Sequence, residues 1–132
     1  MGFDPGGGSA RIYGTGESKI SYISSANAAD FAVALASGSF PEKTGILELG
    51  GPEPLSQLDA VRIFEKCQHK RISVEPVPID ALRDQYRSTD PLQQTFAALM
   101  IAYAGGDVVA SAAQNAALHH VALQSVADYA SR

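Results

Sequence analysis

Residues 89–106, TDPLQQTFAALMIAYAGG, contain the clearest helix signal of the sequence. Asp90 can cap a helix, and Pro91 has the preset backbone angle of a first helical turn. Gly105 and Gly106 can end the helix, because glycine adopts the left-handed conformation without strain. The apolar positions in between repeat at helical spacing, at Leu92, Phe96, Leu99, Met100 and Tyr103. We therefore predict a strong helix here, and the other elements are placed outward from it.

The sequence around and after this helix is poor in charge. Between Ser88 and Arg132 there is one basic residue, Arg132, against three acidic residues, and alanine is frequent. Such a composition is typical of helices that are buried against another surface. That surface can lie outside this chain.

Four stretches predict short strands. Residues 11–13 and 19–23 flank a glycine-containing loop, which is typical of a hairpin or of two strands joined by a loop. Residues 46–49, ILEL, predict a brief strand before a Gly-Gly-Pro turn. Residues 72–77 alternate as a strand does, and Pro76 favours a position at a sheet edge.

Four further helices are predicted from capping signals. The first has Phe31 on its apolar side and Gly38 at its end, and the second carries Cys67 on its apolar stripe. The start signals of the four helices are, in chain order, Ser25 or Asn27, Ser56, Asp80 and Ser125.

Length and patterning together predict an α+β protein with about four short strands and five helices. With 132 residues and a mass of 13.8 kDa, the chain has room for one compact domain. Residues 1–9 are rich in glycine and contain a proline, so we expect a flexible arm there rather than a strand or helix. The remaining residues, 10–132, are predicted to form a single domain.

Composition excludes several functional classes. The net charge of -4 and the pI of about 5.2 argue against a nucleic-acid partner, because such proteins usually carry a basic excess. The longest apolar run, residues 96–104, is far shorter than the roughly 20 residues that span a bilayer, so no membrane segment is expected. Cys67 is the single cysteine and excludes an internal disulfide, and residues 1–10 lack the pattern of a signal peptide. We therefore expect a cytoplasmic protein.

The motifs of nucleotide-dependent catalysis do not occur in the sequence. Gly14 and Gly16 are followed by Lys19 where the GxGxxG fingerprint needs its third glycine. No tyrosine has a lysine four residues later, so the proton-donating Tyr-x-x-x-Lys pair is missing as well. His119 and His120 are neighbours whose side chains would point about 100° apart on a helix, which makes a shared metal ion difficult. We therefore assign no catalytic, cofactor-binding or metal-binding residue.

A group of aromatic and apolar side chains is the best candidate for binding a small molecule. Aromatic residues with polar tips suit ligands that are apolar or of mixed character. The same residues can also be ordinary core, and that interpretation competes with the first. The predicted substrate-binding residues are Tyr22, Phe96, Met100 and Tyr103.

The order of several short motifs resembles that of NmrA-like proteins, which are atypical short-chain dehydrogenase/reductases. The motifs are ARIYGTG at 10–16, SYIS at 21–24, ADFAV at 29–33, LGGPE at 49–53 and DPLQQTFAAL at 90–99. The likeness covers nearly the whole chain and extends to SVADY at 125–129. It concerns only the C-terminal, substrate-binding half of the family, which in relatives packs beside a Rossmann nucleotide-binding half.

The resemblance implies NAD(P) only for full-length relatives, so no cofactor is expected for this chain alone. Family members usually have an aspartate at the start of the helix where this chain has Asn27. Without the nucleotide-binding half, the predicted strand at 46–49 and the first helices would expose apolar faces. A homodimer is the first expectation for covering them, and a partner chain with a Rossmann domain is the second.

Three functional hypotheses follow from the resemblance. The first is a non-catalytic binding or interaction module derived from a substrate-binding half. The second is a subunit or fragment of an NAD(P)-dependent oxidoreductase that needs a separate Rossmann partner. The third is a small-molecule binder whose pocket is rebuilt at the seam of a dimer.

Overall fold

The computed structural model describes residues 2–38 and 45–132, which contain five short strands and six helices. The predicted α+β class is confirmed, with one strand and one helix more than the sequence indicated. The chain divides into two compact units. The strand-bearing unit comprises Met1–Ile20 and Leu55–Asp107, and the helical unit comprises Ser21–Pro54 and Val108–Arg132. The domain boundaries predicted from the sequence, 1–9 and 10–132, stay a prediction.

The main sheet of the strand-bearing unit has the order β1-β2-β5. Strand β2 (Ser9–Tyr13) runs parallel to β5 (Ser73–Val77), with Ser9 opposite Ser73 and Tyr13 opposite Val77. Strand β1 (Phe3–Asp4) pairs antiparallel with the start of β2. Strand β5 lies at the edge of the sheet, as Pro76 predicted, because proline cannot donate a hydrogen bond to a neighbouring strand.

Strand β1 lies within residues 1–9, where the sequence predicted neither strand nor helix, because Phe3–Asp4 pair with β2. Asp4 accepts a hydrogen bond from the N–H of Gly7 at 2.8 Å, and the Lys70 ammonium donates to the carbonyl of Gly6 at 2.6 Å. The ring of Phe3 packs edge-on against Phe64 with centroids 5.0 Å apart. Glycine content predicted flexibility here, but the free edge of β2 supplies a partner that local composition does not reveal.

The two predicted strands at 11–13 and 19–23 belong to different sheets. Strand β3 (Lys19–Ile20) pairs antiparallel with β4 (Leu55–Ser56) rather than with β2. The alternative of two strands joined by a loop is therefore correct. The strand ends at Ile20, earlier than predicted.

Three helices complete the strand-bearing unit. They are α2 (Gln57–Gln68), α3 (Ile79–Tyr86) and α4 (Pro91–Gly105). Ser56 caps α2 as predicted, in a capping box with Asp59. Asp90 caps α4 by accepting a hydrogen bond from the N–H of Leu92 at 2.9 Å, and Gly106 ends it. The helix predicted from residues 89–106 is thus confirmed.

The helical unit contains α1 (Ser25–Ala36), α5 (Ala112–Leu118) and α6 (Val126–Ala130). The N-cap of α1 is Ser24, one residue before the earlier of the two predicted caps, and Ser125 caps α6 as predicted. Buried Asn27 donates to the carbonyl of Ala122 at 2.8 Å and accepts from the N–H of Gln124 at 2.7 Å. Asn27 therefore ties the start of α1 to the segment that precedes α6.

The predicted strand at residues 46–49 is wrong. These residues have no strand partner, and the side chain of Ile46 is 94% exposed. The carbonyl of Glu48 instead accepts a hydrogen bond from the Asn115 side chain at 2.9 Å. Apolar, β-branched residues predicted a strand, but strand formation needs a neighbouring edge that this segment does not find.

Candidate functional site

The candidate site begins where the two parallel strands end. Strands β2 and β5 finish side by side at Tyr13 and Val77, and the N–H of Gly14 donates to the Val77 carbonyl at 3.0 Å. Ligands of sheets with parallel strands usually bind outside the carboxyl ends of those strands. Helix α4 runs past this end, since Ala104 lies against Gly14.

Three rings form what we call the aromatic cluster, consisting of Tyr13, Phe96 and Tyr103. The ring of Tyr13 lies 6.4 Å from that of Phe96 and 6.2 Å from that of Tyr103, measured between centroids. The interplanar angles of 73° and 76° are edge-to-face arrangements, which bring a positive ring edge to a negative ring face. Tyr13 is 3% exposed, whereas Phe96 and Tyr103 are half-buried. Parts of two rings therefore remain available to a ligand.

The remaining predicted substrate-binding residues have different positions. Met100 lies on the buried side of α4, packed with Tyr13 and with Leu82 from α3. Tyr22 belongs to the helical unit and is half-buried. The structure therefore brings Phe96 and Tyr103 together around Tyr13 and places Met100 in the core beneath them. Their binding of a substrate stays a prediction.

Gln57 supports the aromatic cluster and was missed by the sequence analysis. Its side chain is buried, and its amide oxygen accepts from the Tyr13 N–H at 3.0 Å. Its amide nitrogen donates to the Tyr13 carbonyl, also at 3.0 Å. The amide thus replaces a neighbouring strand beside Tyr13. No sequence signal marks this role, because a glutamine in the first turn of a helix is usually exposed.

Two ion pairs connect elements of the strand-bearing unit. The ammonium of Lys19 donates to Asp59 at 2.5 Å and, with hydrogen bonds from Ser56, holds the pKa of Asp59 well below its usual range. Glu75 accepts from the guanidinium of Arg11 at 2.9 Å, which raises the pKa of Arg11. Both members of that second pair are exposed, so it contributes little to stability.

A separate open cavity of about 340 Å³ lies beside the N-terminal strand pair. Its lining includes Phe3 and the charged side chains of Asp4, Arg11 and Glu75. The Arg11 and Glu75 side chains bind each other, so two of these three charges are already paired. The cavity is therefore a poorer candidate site for an apolar ligand than the aromatic cluster.

The two adjacent histidines lie in the turn after α5 rather than on a helix, as the sequence analysis had assumed. His119 is buried with its ring 6.2 Å from that of Phe31, and His120 has a left-handed backbone with φ of 55°. Among residues 2–38 and 45–132, no three His, Cys, Asp or Glu side chains are placed to hold a metal ion. Within the same residues, no helix has the length and apolar character to cross a membrane.

The loop after β2 contains the two glycines that most resemble part of the dinucleotide fingerprint. Gly14 and Gly16 have positive φ angles of 69° and 72°, but they lead into strand β3 rather than into the N-terminus of a helix. A Cβ on Gly16 would overlap the Ile12 side chain, and one on Gly14 would press on Ala104 at 3.2 Å. These glycines make room for the protein's own side chains.

Comparison with solved structures shows the same fold in part of several larger proteins. A nucleoside-diphosphate-sugar epimerase from Staphylococcus aureus matches with a TM-score of 0.68 and 19% identity over 97% of this chain. An NADPH-dependent quinone oxidoreductase from Escherichia coli matches with a TM-score of 0.63 and 16% identity over 96%. A triphenylmethane reductase from Citrobacter sp. matches with a TM-score of 0.62 and 14% identity over 96%. No family model and no curated protein matches the sequence.

These similarities define the fold of the chain. At this level of identity they confirm the architecture that the resemblance to NmrA-like proteins predicted. The chain spans 45%, 46% and 45% of the length of these three proteins, in the order named above. The fold of this chain therefore matches part of the fold of each of these proteins, which agrees with the predicted resemblance to one half of the family.

Proposed function

We propose that the chain is a small-molecule-binding module derived from the substrate-binding half of an NAD(P)-dependent, NmrA-like protein, and that it is not catalytic alone. The observation that carries the proposal is the aromatic cluster at the carboxyl ends of β2 and β5. Its rings pack against the core around Met100, and the amide of Gln57 holds the backbone of Tyr13. A binding surface that is fixed in advance loses little entropy when a ligand arrives.

The ligand class that suits this surface is a conjugated, aromatic molecule with few polar groups. Phe96 and Tyr103 offer ring surface, and helix α4 carries no charged residue. Stacked or edge-to-face aromatic contacts add about 0.5–1.5 kcal/mol each beyond the burial of area. Two of the similar solved proteins are named for conjugated molecules, a quinone and triphenylmethane dyes, which supports the same class.

Calorimetric titration of the full chain with a naphthoquinone and with a triphenylmethane dye tests the proposal. We expect binding that weakens about tenfold in Phe96→Leu and in Tyr103→Leu, because each loses one ring contact. Tyr86→Leu is the matched control, since Tyr86 is exposed on neighbouring helix α3. Equal weakening in the control, or no binding of either compound, would contradict the proposal. Tyr22→Leu tests the remaining predicted residue in the same way.

A separate titration with NADPH tests the non-catalytic part of the proposal. We expect no binding, because the loop at Gly14 and Gly16 offers no cradle for a pyrophosphate. A dissociation constant in the micromolar range or tighter would overturn this part while leaving the aromatic site intact.

A second candidate function is that of a subunit or fragment of an NAD(P)-dependent oxidoreductase. The observation that favours it is the coverage of about 45% of each similar protein, two of which are named as a reductase or an oxidoreductase. The missing part would then be supplied by a Rossmann-domain chain. Co-purification of a nucleotide-binding protein that restores NADPH-dependent turnover of a quinone would favour this alternative over the first.

A further inference from the structure

Helix α4 has a second apolar stripe besides the one that joins the core. Its members are spaced at i, i+4, i+7 and i+11, so they lie within one narrow strip of the helix surface. Leu92 is 78% exposed and Leu99 is 59% exposed, while the two aromatic members are half-buried. We call this set the outer stripe, and it consists of Leu92, Phe96, Leu99 and Tyr103.

The strand-bearing unit covers the outer stripe only in part, because its two aromatic members pack against the core while Leu92 and Leu99 stay exposed. The buried residues of α4 are Ala97, Met100 and Ala104, and they form the side that faces the core. At 100° per residue, the centre of this side lies about 100° around the helix from the centre of the outer stripe. The two leucines therefore point away from the sheet and α3, and their exposure is a consequence of the helix geometry.

Charge separates α4 from the other helices of the same unit. The outer faces of α2 and α3 carry ion pairs, Arg62 with Asp59 at 3.4 Å and Arg83 with Asp80 at 3.0 Å. In contrast, none of the 15 residues of α4 is charged. Ion-paired surfaces are typical of helices that face water, whereas an uncharged helix with exposed leucines is typical of a contact surface.

We propose that the outer stripe is the interface through which two copies of this chain pair. A partner with charged residues at this surface would bury them without a counter-ion, which is costly. A second copy presents the same 15 uncharged residues, so a two-fold axis brings like surface to like surface without burying a charge. Each copy has a net charge of -4, so two copies repel each other. This repulsion is smallest when the surfaces in contact carry no charged residues.

The size of the surface predicts a dimer of modest affinity. A helix of 15 residues is about 22 Å long, so it offers less than the roughly 800 Å² per partner of a standard interface. We therefore expect pairing with a dissociation constant on the order of micromolar, and a measured mass that rises with protein concentration.

Sedimentation equilibrium of the full chain from micromolar to millimolar concentration measures this pairing. We expect the mass to rise from 13.8 kDa toward twice that value. Leu99→Glu should weaken pairing about tenfold or more, because the dimer would bury two facing carboxylates. Val33→Glu is the matched control, since Val33 is 69% exposed on α1 of the helical unit and receives the same charge.

Three results would overturn the proposal. They are a monomer at every concentration, a dimer that Leu99→Glu leaves unchanged, and a dimer that Val33→Glu weakens equally. Circular dichroism of each variant verifies that it is folded. In a second measurement, oxidised glutathione is added as the two-electron oxidant, and Leu99→Cys in a Cys67→Ser background should form an intermolecular disulfide that Val33→Cys in the same background does not. Failure of ligand titration leaves this proposal unaffected, because the pairing is measured without a ligand.

Discussion

Replacement of Gln57 by methionine tests how the aromatic cluster is held. Methionine has a volume close to that of glutamine and fills the buried space, but it can neither donate to the Tyr13 carbonyl nor accept from its N–H. Both hydrogen bonds, each of 3.0 Å, are therefore lost while packing is largely kept. The variant separates hydrogen bonding from cavity formation, which Gln57→Ala would combine.

The expected cost follows from the burial of both backbone groups. Tyr13 and Gln57 are each 3% exposed, so water has little access to the groups that lose their partners. An unsatisfied buried donor or acceptor costs about 1–3 kcal/mol, and two such groups cost about 2–6 kcal/mol. This is a large part of the 5–15 kcal/mol by which an ordinary domain is stable.

Urea unfolding monitored by circular dichroism and tyrosine fluorescence measures the change. With a slope near 2 kcal/mol per molar urea, a loss of about 3 kcal/mol lowers the midpoint by about 1.5 M. Gln68→Met is the control, because Gln68 is exposed at the end of the same helix and should change stability by less than about 0.5 kcal/mol. If Gln57→Met is as stable as that control, the amide is not what holds Tyr13, and the proposed preorganisation of the rings fails with it.

Three further predictions concern other residues. Asp59→Asn should lower stability by about 0.5–1 kcal/mol at neutral pH, measured by urea unfolding across pH. Because the pKa of Asp59 is lowered in the folded state, this difference should be complete above about pH 5, should shrink as the pH falls through the ordinary pKa of aspartate of about 4, and should vanish only below the lowered pKa of the folded state. Gly16→Ala should lower the melting temperature more than Gly38→Ala, since both positions have positive φ but only at Gly16 would a Cβ overlap a neighbour; equal losses would contradict this reasoning. Asn27→Ala should cost about 2–4 kcal/mol in thermal unfolding, because it leaves the Ala122 carbonyl and the N–H of Gln124 without their partner.

Helix boundaries were predictable from the sequence because they depend on local chemistry. Ser56 and Ser125 each accept a hydrogen bond from the backbone N–H three residues later. The aspartate at that position accepts a hydrogen bond from the backbone N–H of the serine. Asp90 and Pro91 start α4 in the same self-contained way. Such signals need no knowledge of the rest of the molecule, which is why three predicted caps are confirmed without change.

Strand pairing and the support of the site were not predictable, because both depend on distant residues. Residues 46–49 have strand composition without a neighbouring strand, whereas Phe3 and Asp4 have a neighbour despite a composition that predicts none. Gln57 is separated from its partner Tyr13 by 44 positions in the sequence. Only the folded structure shows that a polar residue in a first helical turn completes the edge of a strand.

Phe96 and Tyr103 belong both to the aromatic cluster and to the outer stripe, so ligand binding and pairing should be coupled. A conjugated ligand on these two rings would lie where the second copy approaches, and the flanking leucines of that copy would shield it from water. Coupling between two binding events is reciprocal, so the ligand should tighten the dimer by the factor by which the dimer tightens the ligand.

At a ligand concentration of about 100 times its dissociation constant from the dimer, and still below its dissociation constant from the monomer, the shift can reach about a hundredfold for each ligand bound. Sedimentation with and without the naphthoquinone measures this shift, and Leu99→Glu should abolish it while leaving weak ligand binding to the monomer. A ligand that dissociates the dimer would show instead that the second copy and the ligand compete for the two rings, and the site would then belong to the monomer alone.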